Sequence, residues 1–242
     1  MRNVFLTAAF GAMTALLLVA PLTAYDIRTG DEIYLSGDFD DDLFLLGGIV
    51  NFDGFVHGDI ITAGNTITCN GTIDGNLLAA GERVTVSGEV RRSVRSFGRY
   101  VTVKSTVAGD LTAFAQEVHV TTDALLMRDC ALFGYEIIVN GQIERNCHLY
   151  GETVTISGKI AGDVEIEAEE IRITHEAVIE GDLKYKSHCR ADISPEAQII
   201  GETKWKKVSR SSSTEFSFPL VLPPSSAIWN ILLFCGSLII GL

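Results

Sequence analysis

Basic residues are scarce in this chain. Its 242 residues carry 19 lysines and arginines against 31 aspartates and glutamates, for a net charge of −12. A nucleic-acid partner needs basic stripes, so the balance argues against one. Histidine and cysteine are also few, five of each, and none of them shows the spacing of a metal site. No Ser/His/Asp or paired-carboxylate constellation survives placement in the repeat described below, so we expect no catalysis and no cofactor. Long loops are missing too, and with them the groove from which pectinase-like β-helical enzymes project their acids.

What the chain does have is a repeat of 17 residues. Asp42, Asp59, Asn76, Ser93 and Asp110 open successive units, and the series resumes at Asp129, Asn146, Asp163 and Asp182. Two units are longer by two residues, at Ala124-Leu125 and around Glu176-Ala177. Stacked units of this length bury their apolar faces only against one another. Each unit holds an apolar pair such as Leu77/Ala79, a second such as Val84/Val86, and a single position such as Val90. Alternation within the pairs is that of short strands with β-branched residues facing in. Glycine columns at Gly47/Gly64/Gly81/Gly98 and Gly54/Gly71/Gly88 mark corners, where freedom to take positive φ would allow sharp turns. The expectation is an all-β fold: a right-handed parallel β-helix, a triangular solenoid of about nine turns. The inward spacings of 2, 5, 2, 4 and 4 do not fit the left-handed hexapeptide helix, which needs one aliphatic every six residues.

Units such as Gly75-Asn76-Leu77-Leu78-Ala79-Ala80-Gly81-Glu82-Arg83-Val84-Thr85-Val86-Ser87-Gly88 and Gly151-Glu152-Thr153-Val154-Thr155-Ile156-Ser157-Gly158 resemble the bactofilins, polymer-forming bacterial cytoskeletal proteins. The likeness covers about residues 31–205. It implies a right-handed β-helix that polymerises without nucleotide. Most bactofilins are cytoplasmic, whereas this chain is hydrophobic at both ends.

Residues 1–24 read as a signal peptide or an N-terminal anchor: Arg2, an apolar run from about Val4 to Val19, then Pro21-Leu22-Thr23-Ala24. The β-helix domain follows over 25–205, a polar linker over 206–225 and a transmembrane segment over 226–242, slightly short of the ~20 apolar residues that span a bilayer. Lys204, Lys206, Lys207 and Arg210 precede that segment, where they could meet anionic lipid heads. This arrangement predicts a bacterial membrane location with the rod on the exported side.

Three groups of residues are candidates for function. Phe44 and Leu46 lie in an unusually apolar first turn beside an open strand edge, and are expected to mediate end-to-end self-association. Phe97, Phe114, Phe133 and Tyr150 share one column; they form either a ladder that fixes register or a stripe that binds cell-wall glycan. The opening acids stack a few ångströms apart, and turn capping accounts for them better than bound calcium. Cys130 and Cys147 fall in one inward column and Cys69 in another, where cysteine acts as a small hydrophobe. The expected partners are further copies of the chain, a membrane and envelope components.

Overall fold

The computed structural model describes residues 25–208, so the expected leader (1–24), most of the linker and the transmembrane segment (226–242) lie outside the described residues. Among the described residues no helix is long and apolar enough to cross a membrane. The fold there is an all-β parallel solenoid, and the repeat becomes its rungs. Strands Tyr25–Leu35, Asp42–Phe52, Ile60–Cys69, Leu77–Val86, Val94–Val103, Leu111–Val120, Cys130–Val139 and Cys147–Ile156 pair in that order. Two split rungs follow, Val164–Glu167 with Glu170–Ile173 and Leu183–Ser187 with Asp192–Ile193, and then Thr203–Lys207. The last strand runs two residues past the expected domain end at 205.

Eleven rungs therefore replace the nine expected. The two extra ones sit at the ends, where the apolar signature fades; among the described residues each end rung has a neighbour on one side only. Asp26 and Arg28 stand in the first rung opposite Leu43 and Leu45, in inward columns that are apolar further along. They pair with each other at 2.7 Å. In the last rung Trp205 takes the position opposite Tyr185. At a strand spacing of about 4.8 Å the rod is roughly 50 Å long.

Register follows the sequence columns: Val84, Val101 and Val118 stack, as do Leu111, Cys130, Cys147 and Val164. All are fully buried or nearly so, as are Val56, Ile73, Val90, Val107 and Leu126 in the third inward column. In place of three short strands per turn, both apolar pairs lie in one long strand that bends at its glycine. In Leu77–Val86 the buried positions are 77, 79, 84 and 86, so alternation slips by one at Gly81. That slip lets both arms face the same core.

The glycines serve another purpose than the one expected of them. Among the described residues only Gly37 has positive φ, at 126°. A Cβ on Gly64 would lie 2.2 Å from the carbonyl oxygen of Gly47, and one on Gly88 only 1.8 Å from that of Gly71. Close stacking of corners, and not reversal of the chain, requires glycine there. Where the corner is lengthened the requirement lapses. At Thr121–Ala124, Thr174–Ala177 and Ser194–Ala197 the alanine N–H donates back to the carbonyl three residues earlier, at 3.0, 3.2 and 3.0 Å. The third of these insertions was not evident from the repeat.

Candidate interaction surface

Each long strand has two outward positions on its first arm, and stacking turns them into two columns. One column runs Ile27, Phe44, Ile61, Leu78, then Arg95, Thr112, Ala131 and His148. The other runs Thr29, Leu46, Ala63, Ala80, then Phe97, Phe114, Phe133 and Tyr150. Ile27 is 54% exposed, and the aliphatic and aromatic residues after it are half-buried. Phe44 and Leu46 therefore belong to the same face as the aromatic column. The sequence suggested two separate sites; stacking merges them into one apolar face eight rungs long. They also stand one rung in from the strand edge, which the first rung covers.

The aromatic residues form a continuous stack. Ring centroids are 5.3 Å apart for Phe97–Phe114, 4.4 Å for Phe114–Phe133 and 5.1 Å for Phe133–Tyr150, with planes within 6° of parallel. Such pairs contribute about 0.5–1.5 kcal/mol each beyond burial. Ring faces are spent on one another, so the edges point outward. A sugar ring packs on an aromatic face, and in this column only the two ends of the stack offer one.

Beyond Tyr150 the character of the face changes abruptly. Glu165 and Glu167, Lys184 and Lys186, then Lys204 and Lys206 occupy the last three rungs. Several are already paired: Lys186 with Glu167 at 3.1 Å, Lys184 with Asp163 and Asp182 at 3.5 Å each, and Lys204 with Glu202 at 2.7 Å. The second arm is polar over most of its length, with Asn51, Thr68, Thr85 and Thr102 in one outward column. The continuous apolar columns thus lie on the first arm, while Tyr34, Met127, Tyr135, Ile200 and Val208 are exposed singly elsewhere.

The acid column proves to be corner carpentry. Asp42 accepts from the Asp59 N–H at 2.7 Å, Asp59 from Asn76 at 2.6 Å, Asn146 from Asp163 at 3.0 Å and Asp163 from Asp182 at 2.9 Å. At the end of the run the Glu202 N–H donates to Asp182 at 2.9 Å. That bond, ahead of those from Lys184, holds the Asp182 carboxyl below its ordinary range. Among the described residues no group of three or more His, Cys, Asp or Glu is placed to hold a metal ion. Of the histidines, His119 meets Asn140 at 3.1 Å and His148 approaches Glu165 at 3.6 Å.

Both ends of the core are finished with polar groups. At the first rung the Asp26–Arg28 pair closes two inward columns. At the last, Trp205 stacks on Tyr185 with centroids 6.4 Å apart and donates its indole N–H to Ser187, while Arg190 lies 5.2 Å over its ring. Among the described residues no strand pairs with the outer edge of either end rung, and the charges of the two ends are opposite. Asp26, Asp31 and Glu32 against Arg28 mark the first rung, and Lys204, Lys206 and Lys207 the last strand. No family model, no curated protein and no solved structure matches this chain.

Proposed function

We propose that this chain is a non-catalytic, self-associating β-helical scaffold of the bactofilin kind, right-handed and triangular in section. Its hydrophobic ends would hold it at a bacterial membrane with the rod on the exported side, where it organises envelope components. The observation that carries this reading is the continuous parallel ladder, with no strand among the described residues paired beyond either end rung. An unpaired edge is a template for another strand, and the two edges bear complementary charge. An end-to-end joint sets the first rung of one copy on Thr203–Lys207 of the next, after Arg190 swings off Trp205. Phe44 and Leu46, one rung in, lie close enough to be covered in the assembly.

The alternative is a monomeric cell-wall glycan-binding module that uses Phe97, Phe114, Phe133 and Tyr150. The column is the right length for an extended polymer, but its stacked rings offer edges where sugars need faces. Electron microscopy of the purified chain separates the two readings. Filaments built from units roughly 50 Å long support the scaffold. A particle that stays single at high concentration and sediments with cell-wall glycan supports the binding module. Reporter fusions after Lys207 test the location, and activity only in the cytoplasm would overturn the exported topology.

A further inference from the structure

We infer that the apolar face is a lateral interface on which two rods pair side by side and antiparallel. This pairing goes beyond end-to-end assembly and does not depend on it. The argument begins with residue size. In the first four rungs the bulk lies in one column (Ile27, Phe44, Ile61, Leu78) and the other is small around Ala63 and Ala80. In the next four the apolar bulk crosses over to Phe97, Phe114, Phe133 and Tyr150, and the first column holds small Thr112 and Ala131 between the longer polar Arg95 and His148. The ridge thus changes column at mid-face.

A two-fold axis across the rod between Ala80 and Phe97 makes this crossover self-complementary, as a symmetric dimer requires. Each column then meets its own reverse. Ala80 faces Phe97 of the second copy, Ala63 faces Phe114 and Leu46 faces Phe133. In the other column Ile61 faces Thr112, and Leu78 covers the stem of Arg95, whose guanidinium reaches solvent at the rim. Large meets small at Ala80/Phe97, Ala63/Phe114 and Ile61/Thr112, while Leu46/Phe133 and Leu78/Arg95 are contacts between two large side chains.

Size also allows parallel rods with the two columns exchanged, and charge decides between the two arrangements. With rungs paired antiparallel, the last three rungs overhang the first rung of the second copy, and their glutamates and lysines stay in water. Parallel rods would instead set Lys184 against Lys186, Lys204 against Lys206 and Glu165 against Glu167, and like charges held together oppose association. The face is about 13 Å wide and 38 Å long at sheet spacings. Pairing therefore buries about 500 Å² on each copy and about 1,000 Å² in all, at the lower bound for a specific interface.

The test is cross-linking in cells that express the full chain, with Cys189→Ser and Cys235→Ser as background. Ile61→Cys with Thr112→Cys places two thiols about 14 Å apart within one rod, too far for a short bismaleimide, but opposite each other across the proposed interface. The double variant should give a covalent dimer, and each single variant at least tenfold less. Ala80→Glu should reduce the dimer by the same factor and leave the β circular dichroism unchanged. Strong dimers from Ile61→Cys alone would show parallel rods and overturn the arrangement. Absence of dimers overturns it as well, and so do dimers seen only when the chain ends at 208, which would make residues 209–242 the natural cover. Filaments that persist without the 61–112 link sink lateral pairing alone; linked pairs without filaments sink the end-to-end reading alone.

Discussion

Adding one methyl group at Gly88 should do more damage than most core truncations in this rod. The Cβ of Gly88→Ala would sit 1.8 Å from the carbonyl oxygen of Gly71 and 2.5 Å from the carbonyl group of Asn70, where real Cβ atoms keep at least 3.0 Å. These neighbours are backbone, so no side chain can step aside. Clearing the Gly71 oxygen requires a separation of 1.2 Å between the two corners. The Ser87 and Gly88 N–H groups both donate to the Cys69 carbonyl there, at 2.8 and 2.9 Å. After such a shift neither bond survives, and each buried group left unpaired costs about 1–3 kcal/mol. The expected loss is about 3–5 kcal/mol, measured by denaturant unfolding of the chain.

Gly98→Ala is the control. Its Cβ would lie 2.6 Å from the Gly81 oxygen, a shortfall of only a few tenths of an ångström, and its column already accommodates Ala115. Alanine also lowers the entropy of the unfolded chain, which returns about 0.4–1 kcal/mol. Gly98→Ala should therefore cost under about 1 kcal/mol. Equal losses at the two sites, or a loss below about 1 kcal/mol at Gly88, would refute the close-stacking account. The distance matters, not the column: Ser105, one rung on from Gly88, carries a Cβ and donates its hydroxyl to the Gly88 carbonyl at 2.6 Å.

Ser96 is buried between Ala79 and Ala113, and its hydroxyl has no hydrogen-bond partner among the described residues. Ser96→Ala should therefore raise stability by about 1 kcal/mol, and a loss of that size in denaturant titration would count against the register. Burial pushes the Cys69 thiol up to about 12, and burial with a hydrogen bond to the free thiol of Cys130 raises Cys147 well above the ordinary thiol range. Iodoacetamide at pH 8 should thus label exposed Cys189 and, by peptide mapping, miss Cys69, Cys130 and Cys147 until denaturant is added. The depressed Asp182 carboxyl contributes stability that is present above its ordinary value of 3.8 and lost as pH falls through the lower folded value. Amide exchange in the last rung should accelerate in that acid window, and Asp182→Asn, which keeps the accepting oxygen as Asn76 and Asn146 do, should remove the effect.

The inward half of the fold was legible because burial on both sides writes itself as alternation. Leu43, Val84 and Ile156 each have a neighbour above and below, so each must be apolar and the period shows. The end rungs escape that rule. Asp26, Arg28 and Trp205 occupy core columns with no described rung beyond them, where two-sided burial does not impose an apolar residue; hence nine turns were expected and eleven are present. The glycines were located correctly and given the wrong cause. A column of glycine looks the same in sequence whether φ or the rung beneath demands it, and only the distance from a built Cβ to a carbonyl tells them apart.

The outward half was harder to read because nothing forces an exposed position to agree with its neighbours. Phe44 and Leu46 stood out in one turn, and Phe97, Phe114, Phe133 and Tyr150 in four others, with no sequence signal joining them. The missing residues are the modest ones between: Ile61, Ala63, Leu78 and Ala80. Each is unremarkable alone, and the two alanines read as filler. The outward columns, followed through every unit like the inward ones, contain them. Their sizes then take on meaning. A column that is small at Ala63 and Ala80 and aromatic over the next four rungs, beside one that is bulky over its first four and small at Thr112 and Ala131, is not what core packing requires, since these side chains point away from the core. Size alternation on the outside of a rod records what lies against it, and in this rod a reversed copy of the same face is the complementary surface.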